Sequence, residues 1–374
     1  MDNEKAKSGE WLQWLSQQKV ILCAGPGGVG KTTTAAALAL GASYHGLKTL
    51  VMTIDPAKRL ADSLGIKRLD YQERRLKAQE WESAGLKPKA SLHALMLDTK
   101  RTFDGVIRRH ASSEEQAKAI LDNPLYKHLS NMIGGSQEYM AMEKLYEIQQ
   151  RGVYDLIVVD TPPSRHALDF LEAPERMKGL IGDSLLKWFL KPSLFVGRAG
   201  FRLLDRPLKR IFSSLDKVAG YDFLKDLSEM LLTSAGLLEG FHQRAEKVQA
   251  LLSHQQTSFI LISSPEKIPL QEAYYFYARI LKSNQRLGAF IFNRVHEKPL
   301  PLGEVLQDLS VKAKKELKAL QDLFEQAANK DAAQLKVFHE AIKVHPEWRL
   351  SLRQNEEDIH DLKGLWILAQ EIFG

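Results

Sequence analysis

Residues 25–33, read as Gly-Pro-Gly-Gly-Val-Gly-Lys-Thr-Thr, form a glycine-rich run between an apolar segment and an alanine-rich one. The run fits G-x-x-x-x-G-K-[ST] at every fixed position, a pattern that requires a strand before it and a helix after it. Residues 19–24 are typical of a short buried strand, and residues 33–45 are typical of a helix. This order predicts an α/β fold with a phosphate-binding loop. The alternative, a plain glycine-rich turn, does not explain why strand, loop, Lys-Thr pair and helix follow one another.

The side chains and backbone of this loop have separate expected roles. Loop N–H groups would surround the β-phosphate of a nucleotide, Lys31 would bridge β and γ oxygens, and the Thr32 hydroxyl would ligate Mg²⁺. The sequence therefore predicts a nucleoside triphosphatase. The expected nucleotide-binding residues of the loop are Gly25, Gly27, Gly28, Val29, Gly30, Lys31, Thr32 and Thr33.

Composition excludes several other classes of protein. The 374 residues are 44% hydrophobic and 26% charged, which is typical of a globular protein. No run approaches twenty apolar residues and the first residues lack the order of a signal peptide, so we expect a cytoplasmic protein. Cys23 is the single cysteine, which excludes disulfides within the chain and a CxxC zinc site. We expect Cys23 to be a small residue of the core. The net charge of +6 is mild, and no basic-aromatic module for nucleic acid is present.

Strand-like and helix-like segments alternate along the chain, which predicts a doubly wound, mostly parallel sheet covered by helices. In such sheets ligands bind beyond the carboxyl ends of the strands. The residues expected there are Asp55, Asp98, Asp160, Ser263 and Asn293. The further predicted strands are residues 49–54, 92–97, 156–159, 258–262, 289–292 and 349–352.

Two of these acidic residues are candidates for the chemistry. Asp160 ends an apolar strand and precedes Thr-Pro-Pro, a place from which a carboxylate can support Mg²⁺ in a phosphate-loop enzyme. Asp55 ends another strand and is a candidate to position or deprotonate the attacking water. The alternative for both residues is helix capping.

In this order the motifs resemble the anion-transporting ATPases, which include the arsenite-pump ATPase and the targeting ATPase of tail-anchored membrane proteins. The resemblance implies a P-loop NTPase of the SIMIBI type with a helical subdomain, working as a dimer or pseudo-dimer with ATP at the interface. It also implies that Asp55 and the segment after Asp160 act as switches. It implies that Asn293 recognises adenine, and the absence of an N-K-x-D guanine motif there favours ATP. The motifs that carry the resemblance lie at residues 25–33, 55–57 with 60–65, 135–143, 160–163 and 264–266.

The chain departs from the family pattern in three ways. Pro26 stands where the family's loop usually has a second lysine that reaches the other subunit's phosphates. Either hydrolysis is slow or another cation substitutes, and Arg165 and Arg59 are the candidates, with a solvated charge or structural ion pair as the alternative for each. The cysteines that bind zinc between subunits and those that bind arsenite are both absent, so the family name does not define a substrate.

The expected domains are an ATPase core of residues 1–174 and 251–374 and an inserted helical subdomain of residues 175–250, with helices from residues 100–150 beside it. Residues 185–196 are rich in leucine and phenylalanine, which suits either the subdomain's own core or a groove for an apolar helix. The predicted function is a Mg²⁺-dependent ATPase that switches the shape of a homodimer or of a heterodimer with a paralogue. The alternatives are a targeting factor for an apolar protein segment and a positioning ATPase that assembles on a surface such as a membrane. We expect neither nucleic acid nor zinc as a partner.

Overall fold

The structure, a computed structural model, describes residues 8–55, 57–123, 126, 136–162, 235–302, 310–355 and 358–374. Contacts divide the chain into two units, one of residues 1–97, 148–171 and 252–374 and one of residues 98–147 and 172–251. Of the expected helical subdomain, residues 235–250 are described, and the expected domain boundaries stay a prediction.

One eight-stranded sheet forms the first unit, in the order β3-β4-β2-β5-β1-β6-β7-β8. Every neighbouring pair is parallel except β3 and β4, which are antiparallel. This mostly parallel sheet confirms the predicted fold class. The strands are β1 Val20–Ala24, β2 Thr49–Thr53, β3 Arg74–Arg75, β4 Leu92–Met96, β5 Leu156–Asp160, β6 Thr257–Ser263, β7 Leu287–Val295 and β8 Trp348–Arg353.

Helices cover the sheet on both faces. α2 packs against β1, β2 and β5 and against the carboxyl-terminal helix α11, while α9 packs against β6 and β7. The helices of the described chain are α1 Ser8–Ser16, α2 Lys31–His45, α3 Arg59–Ser63, α4 Ala78–Ser83, α5 Thr99–His110, α6 Glu114–Asp122, α7 Ser136–Gln150, α8 Ala235–Leu252, α9 Lys267–Lys282, α10 Val311–Ala341 and α11 Leu362–Phe373.

Strand alternation assigns the core residues to these two faces. On β7, Ile291 faces the cluster formed by α1, α2 and α11. Its neighbours Phe290 and Phe292 instead contact the ring of Phe338 on α10, edge to face. Cys23 is free and fully buried in β1, which confirms its expected place in the core.

In the second unit, a buried ion pair joins α7 to α8. The fully buried Glu143 carboxylate accepts hydrogen bonds from Arg244 Nε at 2.7 Å and from the Tyr139 hydroxyl at 2.7 Å. Because a buried charge is tolerated only when it is paired, this contact fixes the mutual position of the two helices.

Candidate nucleotide site

The loop between β1 and α2 lies against the backbone of β6. Gly25 has φ 150°, and a Cβ added there would lie 1.9 Å from the carbonyl oxygen of Ile262. Any side chain would therefore push the start of the loop away from the sheet. The loop then ends at Gly30, which has φ 86° and is the N-cap residue of α2.

The amino end of α2 points into this loop. The first intrahelical bond runs from the Thr34 N–H to the Gly30 carbonyl at 2.9 Å, so the N–H groups of the preceding residues have no partner within the helix. Such N–H groups, at the positive end of the helix dipole, favour a phosphate group. Thr33 lies in this first turn and is half-buried.

Lys31 is buried at the base of the loop, and its ammonium donates a hydrogen bond to the carbonyl of Pro26 at 2.6 Å. Burial lowers the pKa of Lys31, while the nearby Asp160 carboxylate acts in the opposite direction. The Lys31 side chain therefore lies inside the phosphate-binding loop, where it is expected to bind the phosphates of a nucleotide. Pro26 contributes its carbonyl to this contact.

Asp160 meets two threonines at the carboxyl edge of the sheet. The parallel register places it beside Thr53 of β2, and α2 brings Thr32 to the same point. Its Oδ2 atom accepts hydrogen bonds from the Thr32 hydroxyl at 2.8 Å and the Thr53 hydroxyl at 2.9 Å. Its other oxygen, Oδ1, is buried and has no hydrogen-bond partner among the described residues.

Burial raises the pKa of Asp160 to about 6, although both hydroxyl groups and Lys31 act to lower it. A buried carboxylate with one unpaired oxygen beside a threonine hydroxyl is a pair of hard oxygen donors, which suits Mg²⁺. The residues at this point therefore fit the metal expected for Thr32 and Asp160.

Asp55 lies two residues after β2 and has several contacts of its own. Its Oδ1 atom accepts a hydrogen bond from the Ala57 N–H at 2.9 Å, and its own N–H donates to the Thr53 hydroxyl at 3.2 Å. Its Oδ2 atom lies 3.7 Å from Arg59 Nη1, and the Arg59 side chain is 63% exposed. The Ala57 contact forms a turn at Asp55 and not the helix cap that was the alternative role, since the N-cap residue of α3 is Lys58. Among the described residues, the other carboxylate oxygen has this long, exposed ion pair and no closer partner.

Asn293 lies near the end of β7 and is 8% exposed. Its side-chain amide donates a hydrogen bond to the carbonyl of Val29 in the loop at 2.9 Å. The structure thus places the residue expected to recognise adenine against the phosphate loop. Arg165, one of the two candidates to replace the missing loop lysine, lies outside the described residues.

Sequence reasoning missed two contributors to this site. The Thr53 hydroxyl donates a hydrogen bond to Asp160. The signal available in the sequence was a threonine at the end of one apolar strand and an aspartate at the end of another. The carbonyl of Ile262 requires the first loop glycine, and nothing in the sequence of β6 indicates that contact because it is made by the backbone.

The fold and the site define a nucleotide-binding α/β protein of the phosphate-loop class. The chain belongs to the family of anion-transporting ATPases, whose model matches residues 18–343, and this membership makes it an ATP hydrolase. The resemblance inferred from the motifs is therefore confirmed.

The chain is also similar to individual members of that family. It is 25% identical over 313 residues to a putative arsenical pump-driving ATPase 2 of Aquifex aeolicus, covering 80% of this chain and 85% of the relative. It is 26% identical over 280 residues to the ATPase ASNA1 homolog 1 of Paramecium tetraurelia, covering 74% and 75%. It spans 55% of the putative arsenical pump-driving ATPase of Chlorobaculum tepidum, at 26% identity over 259 residues and 68% of this chain.

Proposed function

We propose that the chain couples Mg²⁺-dependent ATP hydrolysis to a change of shape in a homodimer or in a heterodimer with a paralogue. The contact between Thr32 and Asp160 carries this proposal, because it joins the first turn of α2 to the end of β5 at a buried carboxylate. The other oxygen of that carboxylate, Oδ1, has no hydrogen-bond partner among the described residues. A contact between those two elements is where phosphate and metal would be held together.

The geometry of the loop and of the strand ends supports the proposed binding roles. Lys31 and the loop N–H groups hold the phosphates, and Thr32 and Asp160 hold Mg²⁺. The bound metal supplies neutralisation of the phosphate charge that develops during hydrolysis. Asn293 reads adenine from the end of β7.

Asp55 is the proposed positioning group for water. Among the described residues, its Oδ2 atom has the long ion pair with Arg59 and no closer partner, so this oxygen has a lone pair available to accept a proton or a hydrogen bond from water. Arg59 and Arg165 are the proposed replacements for the cation absent at Pro26. A positive charge near the transferred phosphate stabilises the transition state more than the ground state.

A targeting factor for an apolar protein segment is the second candidate function. Its support is the leucine- and phenylalanine-rich composition of residues 185–196, which lie outside the described residues. Binding of a synthetic apolar helix that requires ATP would favour a targeting factor. An affinity for that helix that is the same with and without nucleotide would count against a targeting factor. A positioning ATPase at a membrane surface is disfavoured by Pro26. As a separate finding, none of the described helices has both the length and the apolar character needed to cross a bilayer. A cytoplasmic location and the absence of zinc and nucleic acid stay predictions.

Lys31→Ala tests the nucleotide site. We expect loss of ATP binding and of phosphate release, because the loop loses its cation and the charge-assisted bonds it makes. Calorimetric titration and a phosphate-release assay measure the two effects. The control is Lys19→Ala, since Lys19 is exposed at the opposite end of β1. Unchanged affinity and turnover in Lys31→Ala would falsify the site assignment.

A further inference from the structure

The side chain of Asn293 is occupied at both of its polar ends. Its Nδ2 atom donates to the Val29 carbonyl at 2.9 Å, and its Oδ1 atom accepts from the Arg294 N–H at 3.0 Å. With 8% exposure, the amide is nearly removed from water. Breaking either bond would leave a buried polar group without a partner, which is costly.

An irregularity in β7 aims this side chain. The register between β7 and β8 shifts between Phe292 and Val295, so that two residues of β7, Asn293 and Arg294, lie opposite one residue of β8. Arg294 has φ 61°, a left-handed conformation that a side chain larger than asparagine rarely adopts. A bulge with a strained residue at the end of a strand is a feature that redirects a side chain.

The loop is matched to Asn293 on its own side. A Cβ added at Gly30 would lie 2.4 Å from Asn293 Nδ2, so residue 30 must be glycine for the amide to reach the loop. Gly30 also has φ 86°, which independently favours glycine. The bulge in β7 and Gly30 together allow the Asn293 amide to reach the Val29 carbonyl.

We propose that Asn293 is a positioning residue that orients the Val29–Gly30 peptide of the phosphate loop, whatever base the nucleotide carries. The proposal rests on the nucleotide site proposed above and adds to Asn293 a role distinct from reading adenine.

The geometry of the peptide group explains how the contact works. In a planar trans peptide, the carbonyl and the N–H point in opposite directions. Holding the Val29 carbonyl toward Asn293 therefore turns the Gly30 N–H to the opposite side, away from β7. That N–H belongs to the N-cap residue of α2, among the donors that an anion at the helix terminus uses.

The test is amide hydrogen exchange in the nucleotide-free protein, which does not depend on ATP binding. Asn293→Ala should make amides within residues 25–34 exchange roughly tenfold or more faster, because the loop loses a buried hydrogen bond. Asn329→Ala, an exposed position on α10, is the matched control and should leave these rates unchanged. Reading of adenine alone predicts no change without nucleotide, so equal rates in Asn293→Ala and the native protein would overturn the proposal.

Asn293→Asp provides the second variant, since it keeps the size of the side chain and guards against a general loss of folding. An ionised carboxylate cannot donate to the Val29 carbonyl, whereas a protonated one can. At about pH 8 the loop amides of Asn293→Asp should exchange faster than those of the native protein. The ratio of the two exchange rates should return toward one as the pH falls to about 5. A ratio that does not change with pH would contradict the hydrogen bond as the cause. ATP turnover of the native protein, measured separately, tests the proposed function itself.

Discussion

At the scale of single residues, Asp160 combines a cost for folding with a proposed use in binding. Burial raises its pKa from 3.8 to about 6. A carboxyl whose pKa is higher in the folded than in the unfolded chain lowers the free energy of unfolding above the folded pKa. This loss of free energy of unfolding decreases as the pH falls and is absent below the pKa that Asp160 has in the unfolded chain.

Asp160→Asn should therefore stabilise the nucleotide-free protein. At about pH 8 we expect a gain of about 1–3 kcal/mol in the free energy of unfolding, because the amide carries no charge to bury. Near pH 4 the gain should disappear. Urea unfolding at about pH 8, 6 and 4 measures it, and a variant that is less stable than native at all three values would contradict the assignment. The same variant should bind Mg·ATP more weakly, which titration with and without metal would show.

Asp55→Asn separates binding from hydrolysis. The amide keeps the size of the side chain but cannot take a proton from water, so we expect ATP binding to persist and turnover to fall by about a hundredfold or more. Single-turnover hydrolysis measures this loss. Asp62→Asn, an exposed position on α3, is the control. Normal turnover in Asp55→Asn would assign the role to another residue.

At the scale of elements, strands and helices with a strong pattern could be predicted, whereas contacts made by the backbone could not. The predicted strand at residues 156–159 is Leu156–Asp160, and the helix predicted at residues 33–45 begins two residues earlier, at Lys31. β3 was missed because two paired residues, Arg74 and Arg75, leave no periodic signal. The loop motif predicted Lys31 and Thr32, yet the approach of Asn293 to Val29 depends on a bulge that no sequence pattern indicates.

The packing of α2 on α11 depends on a glycine inside a helix. Gly41 lies in the middle of α2, and a Cβ added there would lie 2.2 Å from the ring of Phe373. Glycine normally weakens a helix by about 1 kcal/mol relative to alanine. Here close packing of the two helices outweighs that preference.

Gly41→Ala should accordingly destabilise the protein by about 1–3 kcal/mol, because the added methyl group overpacks the core. Gly9→Ala in α1, where nothing lies within 4 Å, should be neutral or slightly stabilising and serves as the control. Chemical denaturation compares them. The double variant Gly41→Ala with Phe373→Leu should recover part of the loss. A stabilised Gly41→Ala variant would refute the packing argument.

At the scale of the whole molecule, the sequence predicted the family and the fold class, and both are confirmed. The proposed client, the dimer and the role of Arg165 depend on surfaces beyond the described residues or on a second chain. Family membership does not supply them, because the cysteines that would bind arsenite or zinc are absent from a chain whose single cysteine is buried in β1. These functions are defined by surface chemistry, which varies among chains that share a core.

The proposed dimer leads to a prediction about mass action. If ATP is bound between two copies, binding free energy from the nucleotide contributes to association, so ATP should raise the fraction of dimer. We expect Asp55→Asn with Mg·ATP to sediment as a dimer at concentrations where the nucleotide-free protein is a monomer. Turnover per chain of the native protein should rise with protein concentration and then level off. Lys31→Ala is the control, because without bound nucleotide it should stay monomeric. A monomer under all of these conditions, with turnover per chain independent of concentration, would exclude the homodimer and leave the heterodimer with a paralogue.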